Sequence, residues 1–232
     1  MGNEVTRFPN GLTNAAVGSI FADMPFLDPT KFHSYFNDFD NYTAGDWVVT
    51  ETGVAATEAL TAGDGGLLLI TNTAADNDIV AVQKTPAAFL LTAGKRAAFA
   101  CRFKVSDATQ SDIVMGMQIV DTTPLDATDG IYFLKADGEA LLQAVCRKNA
   151  TTGSTSNANI GTLVADTYIE LAWFYDGIDK VIFAINGTPV ASLDASSTYL
   201  PDTTLTLSMA IQNGEAVAKT MTIDYIMAAF ER

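Results

Sequence analysis

Cysteine and histidine are nearly missing from this 232-residue chain, which has two of the first and one of the second. Two cysteines cannot build a disulfide framework, and with a lone imidazole they give no soft-ligand cluster for a transition metal. Positive charge is also scarce. Thirteen Lys and Arg stand against 27 Asp and Glu, for a formal net charge of −14. The basic residues are scattered, with Lys95-Arg96 and Arg147-Lys148 only as pairs, whereas nucleic-acid binding needs clustered cations over phosphates. No nucleic-acid partner is therefore expected. No apolar run is long enough to span a bilayer, so no membrane partner is expected. The N-terminus lacks the basic-then-apolar order of a signal peptide, so synthesis in the cytoplasm is expected. Met1-Gly2-Asn3-Glu4-Val5-Thr6 matches a loose myristoylation pattern, but no basic patch follows it. Phosphate-cradling loops, dinucleotide fingerprints and a Gly-x-Ser-x-Gly elbow are missing too.

What is present is apolar and β-like. Apolar residues make up 48% and charged ones only 17%, enough to fill a sizeable core. The stretch Asp166 to Leu193 organises the rest. Ile169, Leu171, Trp173 and Tyr175 share one parity and Tyr168, Glu170, Ala172 and Phe174 the other, the period of a strand. Asp176-Gly177 breaks the run; Val181, Phe183 and Ile185 resume it; Asn186-Gly187 breaks it again. Asn-Gly between apolar runs signals a type I′ hairpin, because both residues tolerate positive φ. Pro189 then requires an edge strand or a bulge. A three-stranded meander with a doubly buried first strand follows.

Further strands are expected at 47–51, 57–61, 66–71, 78–84, 96–105, 112–120, 130–135 and 139–148, the last two joined by Asp137-Gly138. Cys101 shares parity with Phe99, Phe103 and Val105, and Cys146 with Leu142 and Ala144, so both read as inert core residues. Ile113, Met115, Met117 and Ile119 alternate with Val114, Gly116, Gln118 and Val120, so both faces of that strand should be covered. Leu205 to Ile211 alternates with Thr204, Thr206 and Ser208, a strand with one buried and one polar face. Met221, Ile223, Tyr225 and Met227 share one parity of the last strand. Residues 149–165 are Thr, Ser, Asn and Gly throughout and read as a flexible loop. Without a convincing helix or a repeat, the fold class is an all-β sandwich or barrel.

Residues 1–35 differ, with Pro9, Pro25 and Pro29 among apolar residues of no sustained period. They read as an extended N-terminal arm, and Phe8, Ile20, Phe21, Phe26 and Leu27 are its candidate partner-binding residues, since exposed apolar side chains need a surface to cover them. Residues 36–232 form the sandwich domain.

The aromatic opening Tyr35-Phe36-Asn37-Asp38-Phe39, the run Phe99 to Val105, Trp173 to Gly177, the hairpin Val181 to Val190 and the closing strand Met221 to Ile226 together resemble the concanavalin-like jelly roll. This is the sandwich of two antiparallel sheets found in legume lectins, laminin G domains and related glucanases. A narrower likeness lies in Thr6-Arg7-Phe8-Pro9-Asn10-Gly11-Leu12-Thr13-Asn14, Phe103 to Asp112, Ile211 to Ala216 and Met221 to Tyr225. These resemble structural proteins of tailed bacteriophages. That resemblance implies a virion component. A compact acidic β domain with an apolar arm makes a capsid decoration (cement) protein the expected role, on the outer head surface. Its partners would be the major capsid protein and itself, as a homotrimer. A lectin-like carbohydrate-binding module, or a tail or fibre protein, is the alternative.

Glucanases of this fold carry Glu-x-Asp-x-Glu on one strand, placing both carboxylates on one face toward the sugar. Here Asp38 and Asp40 come nearest, and Glu170 stands alone, so no enzyme is expected. Asp121, Asp126 and Asp129 in one loop and Asp76 and Asp78 in another make Ca a candidate cofactor. Neither loop has an ordered ligand spacing, and turn-forming Asp is the commoner role, so none is expected. Trp47, Tyr132, Trp173 and Tyr175 could stack on a sugar, although sandwich aromatics are mostly core. His33 precedes the sandwich and has no nucleophile to serve.

Overall fold

The computed structural model describes residues 31–53, 56–152 and 158–232. Its strands are β1 (Phe32–Asn37), β2 (Trp47–Glu51), β3 (Thr57–Thr61), β4 (Leu67–Thr71), β5 (Ile79–Lys84), β6 (Phe89–Leu90), β7 (Ala97–Val105), β8 (Ser111–Gln118) and β9 (Gly130–Lys135). There follow β10 (Leu141–Lys148), β11 (Thr151–Thr152), β12 (Ala158–Thr162), β13 (Ile169–Tyr175), β14 (Lys180–Ile185), β15 (Thr188–Asp194), β16 (Thr204–Asn213) and β17 (Thr220–Glu231). Two short 3₁₀ turns, Ala44–Asp46 and Pro124–Asp126, are the helical elements among the described residues.

The strands form two antiparallel sheets. Sheet A runs β15-β14-β13-β7-β17-β4-β3, with β1 also paired to β17. Sheet B runs β11-β10-β9-β8-β16-β5-β2, with β12 on β10 and β6 on β16. The sheets face each other across one core, as the alternating apolar strands require. Phe183 of sheet A meets Phe133 of sheet B edge-on, with ring centroids 5.1 Å apart. Trp173 is fully buried at the centre, stacked on Phe99 and edge-on to Phe230. Cys101 and Cys146 lie in this core as free thiols. Burial pushes both thiols up, Cys146 to about 12, so neither is a thiolate at neutral pH.

The meander forms as its sequence requires. Asn186 and Gly187 both have positive φ between β14 and β15. Pro189 sits on edge strand β15, beside a register shift opposite Phe183-Ala184. Both faces of β13 are covered.

Four expectations need correction. The first strand begins at Phe32 and draws His33 out of the arm into sheet A, where its ring stacks on Phe89 at 4.5 Å. Residues 149–165 contain β11 and β12 rather than loop alone, because Ile160 and Leu163 are buried in the core. The parity of β17 flips midway. A bulge at Asp224 sets Ile223 opposite Phe103 and Tyr225 opposite Arg102, so Ile226, Ala228 and Phe230 enter the core in place of Tyr225 and Met227. Asp224 pairs with Arg102 there. Finally, Thr206 and Ser208 of β16 are buried, not solvated. Thr206 Oγ1 donates to the Lys84 carbonyl, and Gln83 Nε2 donates to Ser208 Oγ at 2.7 Å.

The β7–β8 connection is held by two buried lysines. Lys135 Nζ donates to the Thr109 carbonyl at 2.7 Å and to the Ser111 carbonyl. Lys219 Nζ lies 2.7 Å from Asp107 Oδ2 and 2.6 Å from Glu215 Oε1. Burial alone would raise the Asp107 carboxyl, but hydrogen bonds from Lys219 and from the Gln110 and Thr109 amides outweigh it. They hold the carboxyl at about 2, against an ordinary 3.8. A depressed carboxyl stabilises the folded state above its unfolded value and loses that stabilisation as pH falls toward its folded value. Denaturation midpoints should therefore fall between pH 3.8 and about 2, and Asp107→Asn should flatten that fall. In the core, Trp173→Ala should cost about 3–5 kcal/mol in denaturant unfolding; a cost under about 1 kcal/mol would contradict its central placement.

Candidate functional site

The face of sheet B that points away from the core is built in three cross-strand rows. Ala81, Ala210, Val114, Leu134 and Gln143 form the first, and Gln83, Ser208, Gly116, Tyr132 and Val145 the second. Thr206, Gln118, Gly130 and Arg147 form the third. Ala81, Val114, Tyr132, Val145 and Ala210 are buried although they lie outside the sandwich core. Gly116 is required at its place, because a Cβ there would stand 2.5 Å from the Tyr132 backbone.

The cover is residues 119–129, which leave β8 and fold back across the face. Gln83 and Gln118 clamp this loop. Gln83 Nε2 donates to the Ile119 carbonyl at 3.0 Å, and Gln83 Oε1 accepts the Asp121 amide at 2.9 Å. Gln118 Nε2 donates to the Pro124 carbonyl at 2.9 Å. Leu125 packs on the buried apolar cluster. Arg147 donates to Asp126 at 2.7 Å and to the Ala127 carbonyl at 3.1 Å.

Two hollows flank the loop. The larger, of about 300 Å³, lies between Leu125-Asp126 and the β9–β10 strands, with Tyr132, Gln143 and Arg147 as its other polar lining. The smaller, of about 270 Å³, lies between the loop and Thr52, Ile79 and Gln212. Burial raises the Tyr132 phenol above its ordinary value, with the Arg147 charge opposing. Burial disfavours the Arg147 cation, but the Asp126 carboxylate outweighs it and keeps the guanidinium above its ordinary value. The larger hollow offers hydrogen-bond donors and acceptors, and its one carboxylate is already tied to Arg147. Carboxylate-pair chemistry on a glycosidic bond needs two carboxyl groups facing one bond. This lining does not supply them.

The residues singled out in the sequence scatter. Trp173 and Tyr175 are core, and Trp47 packs with Tyr35, Phe39 and Tyr42. Tyr132 alone reaches a hollow. Asp38 and Asp40 follow β1 and lie off any strand. Asp121 accepts from Thr123 at 2.8 and 2.9 Å in its own turn. Asp129 accepts from Thr128 Oγ1 and the Asn149 amide. Asp78 is buried and accepts from Thr73 and Thr52, while Asp76 is exposed. Glu170 accepts from Tyr225 on the outer face of sheet A. Phe8, Ile20, Phe21, Phe26 and Leu27 lie outside the described residues. Gln83 and Gln118, which hold the site together, were not anticipated. Their signal was a lone amide closing the apolar run of each of two strands, Ile79 to Val82 and Ile113 to Met117.

No family model and no curated protein sequence matches the chain. Solved structures do. An endo-1,3-beta-glucanase from Streptomyces sioyaensis superposes with a TM-score of 0.64 at 13% identity, covering 88% of this chain and 98% of that one. The carbohydrate recognition domain of Emp47p gives 0.60 at 15%, covering 88% and 98%. A protein of unknown function from Shewanella oneidensis MR-1 gives 0.61 at 15%, covering 87% of each. At such identities the likeness is one of fold. The chain is a concanavalin-like jelly-roll sandwich of two antiparallel sheets.

Gln83→Ala should leave buried partners on Ser208, Ile119 and Asp121 unpaired and cost about 1–3 kcal/mol in denaturant unfolding. An effect within about 0.5 kcal/mol, the size of an ordinary surface change, would mean that the clamp does not hold the loop.

Proposed function

We propose that this chain is a non-enzymatic structural protein of a tailed-phage virion, a decoration protein that sits on the outer head surface and stabilises it. The observation that carries the reading is the closed outer face of sheet B. The chain fills this face with its own loop, clamped by Gln83 and Gln118, and the larger hollow beside it holds no second carboxylate. A module so closed is suited to packing against other proteins. The resemblance carried by Thr6 to Asn14 and by Met221 to Tyr225 supports the virion setting, and the net charge of −14 suits a protein displayed in solvent. Capsid lattices offer three-fold positions that a cyclic trimer matches. The N-terminal arm, with Phe8, Ile20, Phe21, Phe26 and Leu27, would supply contact to the major capsid protein.

One observation favours a second reading. The larger hollow presents Tyr132, Arg147, Asp126 and Gln143 beside apolar side chains, a lining that could take up sugar hydroxyls. The structural neighbours from Emp46p and Emp47p are carbohydrate recognition domains. A lectin-like module is therefore the competing function.

The deciding experiment adds purified full-length protein to undecorated heads of the virus that encodes it and counts bound copies. The decoration reading expects saturation in multiples of three at lattice sites, lost when residues 1–30, which precede β1, are removed. Binding only at the tail would refute it, as would full-length protein that stays monomeric and unbound. A glycan array separates the second reading: micromolar binding to one sugar class, abolished by Arg147→Ala, would favour the lectin-like module.

A further inference from the structure

The larger hollow beside the covering loop is floored by β9 and β10. Gln143, Val145 and Arg147 of β10 alternate onto the outer face. In the antiparallel register Leu134 of β9 lies opposite Gln143, and Tyr132 lies opposite Val145. Four residues of strand set Gln143 and Arg147 about 14 Å apart at the Cα positions. Val145 and the Tyr132 ring lie between them, and Leu125-Asp126 of the loop form the wall. At about 300 Å³ the space is near the lower bound for a ligand pocket, so it suits a small molecule or one group of a larger one.

The lining selects by charge and by hydrogen bonding. Asp126 and Arg147 pair at 2.7 Å and neutralise each other. An anion entering beside them meets the field of a chain of net charge −14, and a cation meets the guanidinium at close range. A neutral ligand is therefore favoured. Arg147 uses Nη1 for both Asp126 and the Ala127 carbonyl, while its Nε is buried and has no acceptor. A buried donor left unpaired is costly, so the site is short of an acceptor. The Gln143 side chain makes no hydrogen bond among the described residues, and its amide both donates and accepts. The rest of the lining, Leu125, Leu134 and Val145, is apolar.

We propose that this hollow is a binding site for a neutral secondary amide with a small acyl group, the acetamido group above all. Its carbonyl accepts from Arg147, its N–H donates to Gln143 Oε1, and its methyl group rests on Leu125, Leu134 and Val145. A hydroxyl ligand would engage the polar groups but leave the apolar wall without a partner. N-acetylated amino sugars and N-acetylated amino acids carry this group alike. The inference rests on the lectin-like reading only where the source is a sugar, and it does not require the loop to lift.

The test titrates full-length protein with N-acetylglucosamine, glucose and N-acetylalanine methylamide while following the methyl signals of Leu125, Leu134 and Val145. Saturable shifts at all three are expected from at least one acetamido probe, with a Kd below about 1 mM, and none from glucose. Binding of the acetylated sugar alone assigns the source to amino sugars. Binding of the acetylated amino acid, alone or as well, assigns recognition to the acyl amide itself. Gln143→Leu removes no bond within the chain; it should keep the fold and weaken that binding about tenfold, the loss of one hydrogen bond. Glucose binding as tightly as N-acetylglucosamine would overturn the proposal and leave the lectin-like reading standing. Saturation by neither acetamido probe would also overturn it, as would unchanged affinity in Gln143→Leu, and the glycan array then decides the lectin-like reading separately.

Discussion

The structure depends on one constraint: much of the outer face of its central strands is buried as well as the inner. A two-sheet sandwich buries only the inner faces against each other. In this chain the middle of β8, β13 and β16 and the first half of β7 are buried on the outer side too. Each outer face therefore needs a cover, and the two faces meet that need differently. Sheet B uses the loop 119–129, whose backbone groups require polar partners wherever they are buried. Gln83 and Gln118 supply them from within apolar strands. An amide suits this task because one side chain both donates and accepts. Sheet A offers instead an alanine floor with aromatic and aliphatic margins, including Phe32, Phe174 and Tyr225.

The meander was legible in the sequence because its signals are local. Asn186-Gly187 demands positive φ, and Pro189 forbids a ladder donor, whatever surrounds them. The features that escaped are non-local. Nothing in Ile223-Asp224-Tyr225 announces the bulge, which exists because Asp224 finds Arg102 on a neighbouring strand. Nothing in the Thr- and Asn-rich stretch after Asn149 distinguishes Ile160 as a core residue until β10 is beside it. His33 looked stranded in the arm until Phe89 was placed under it. The alternation in β8 gave a true warning that both faces are covered. It could not say that the cover would be residues 119–129.

The candidate site illustrates the same limit. Tyr132 was one of four aromatic residues considered for sugar stacking; all four are buried, and only Tyr132 lines a hollow on the outer face of sheet B. The acidic loops offered for Ca dissolve into separate tasks: Asp121 shapes a turn, Asp126 pairs with Arg147 on β10, and Asp129 anchors Asn149. Sandwiches of this fold include a glucanase and carbohydrate recognition domains among the structural neighbours, so fold alone does not choose a function. The choice turns on whether the outer face of sheet B is open or closed.

That question has one direct measurement. The Asp121 amide donates to Gln83 Oε1 in the covering loop, so its hydrogen exchange reports the clamp itself. A closed face predicts that Asp121 exchanges only through large openings, with a protection free energy within about 2 kcal/mol of the global unfolding value. Exchange of Asp121 near the rate of an unprotected loop amide, while the β8 and β16 amides stay protected, would show a loop that lifts freely. It would contradict the account of a self-covered sandwich.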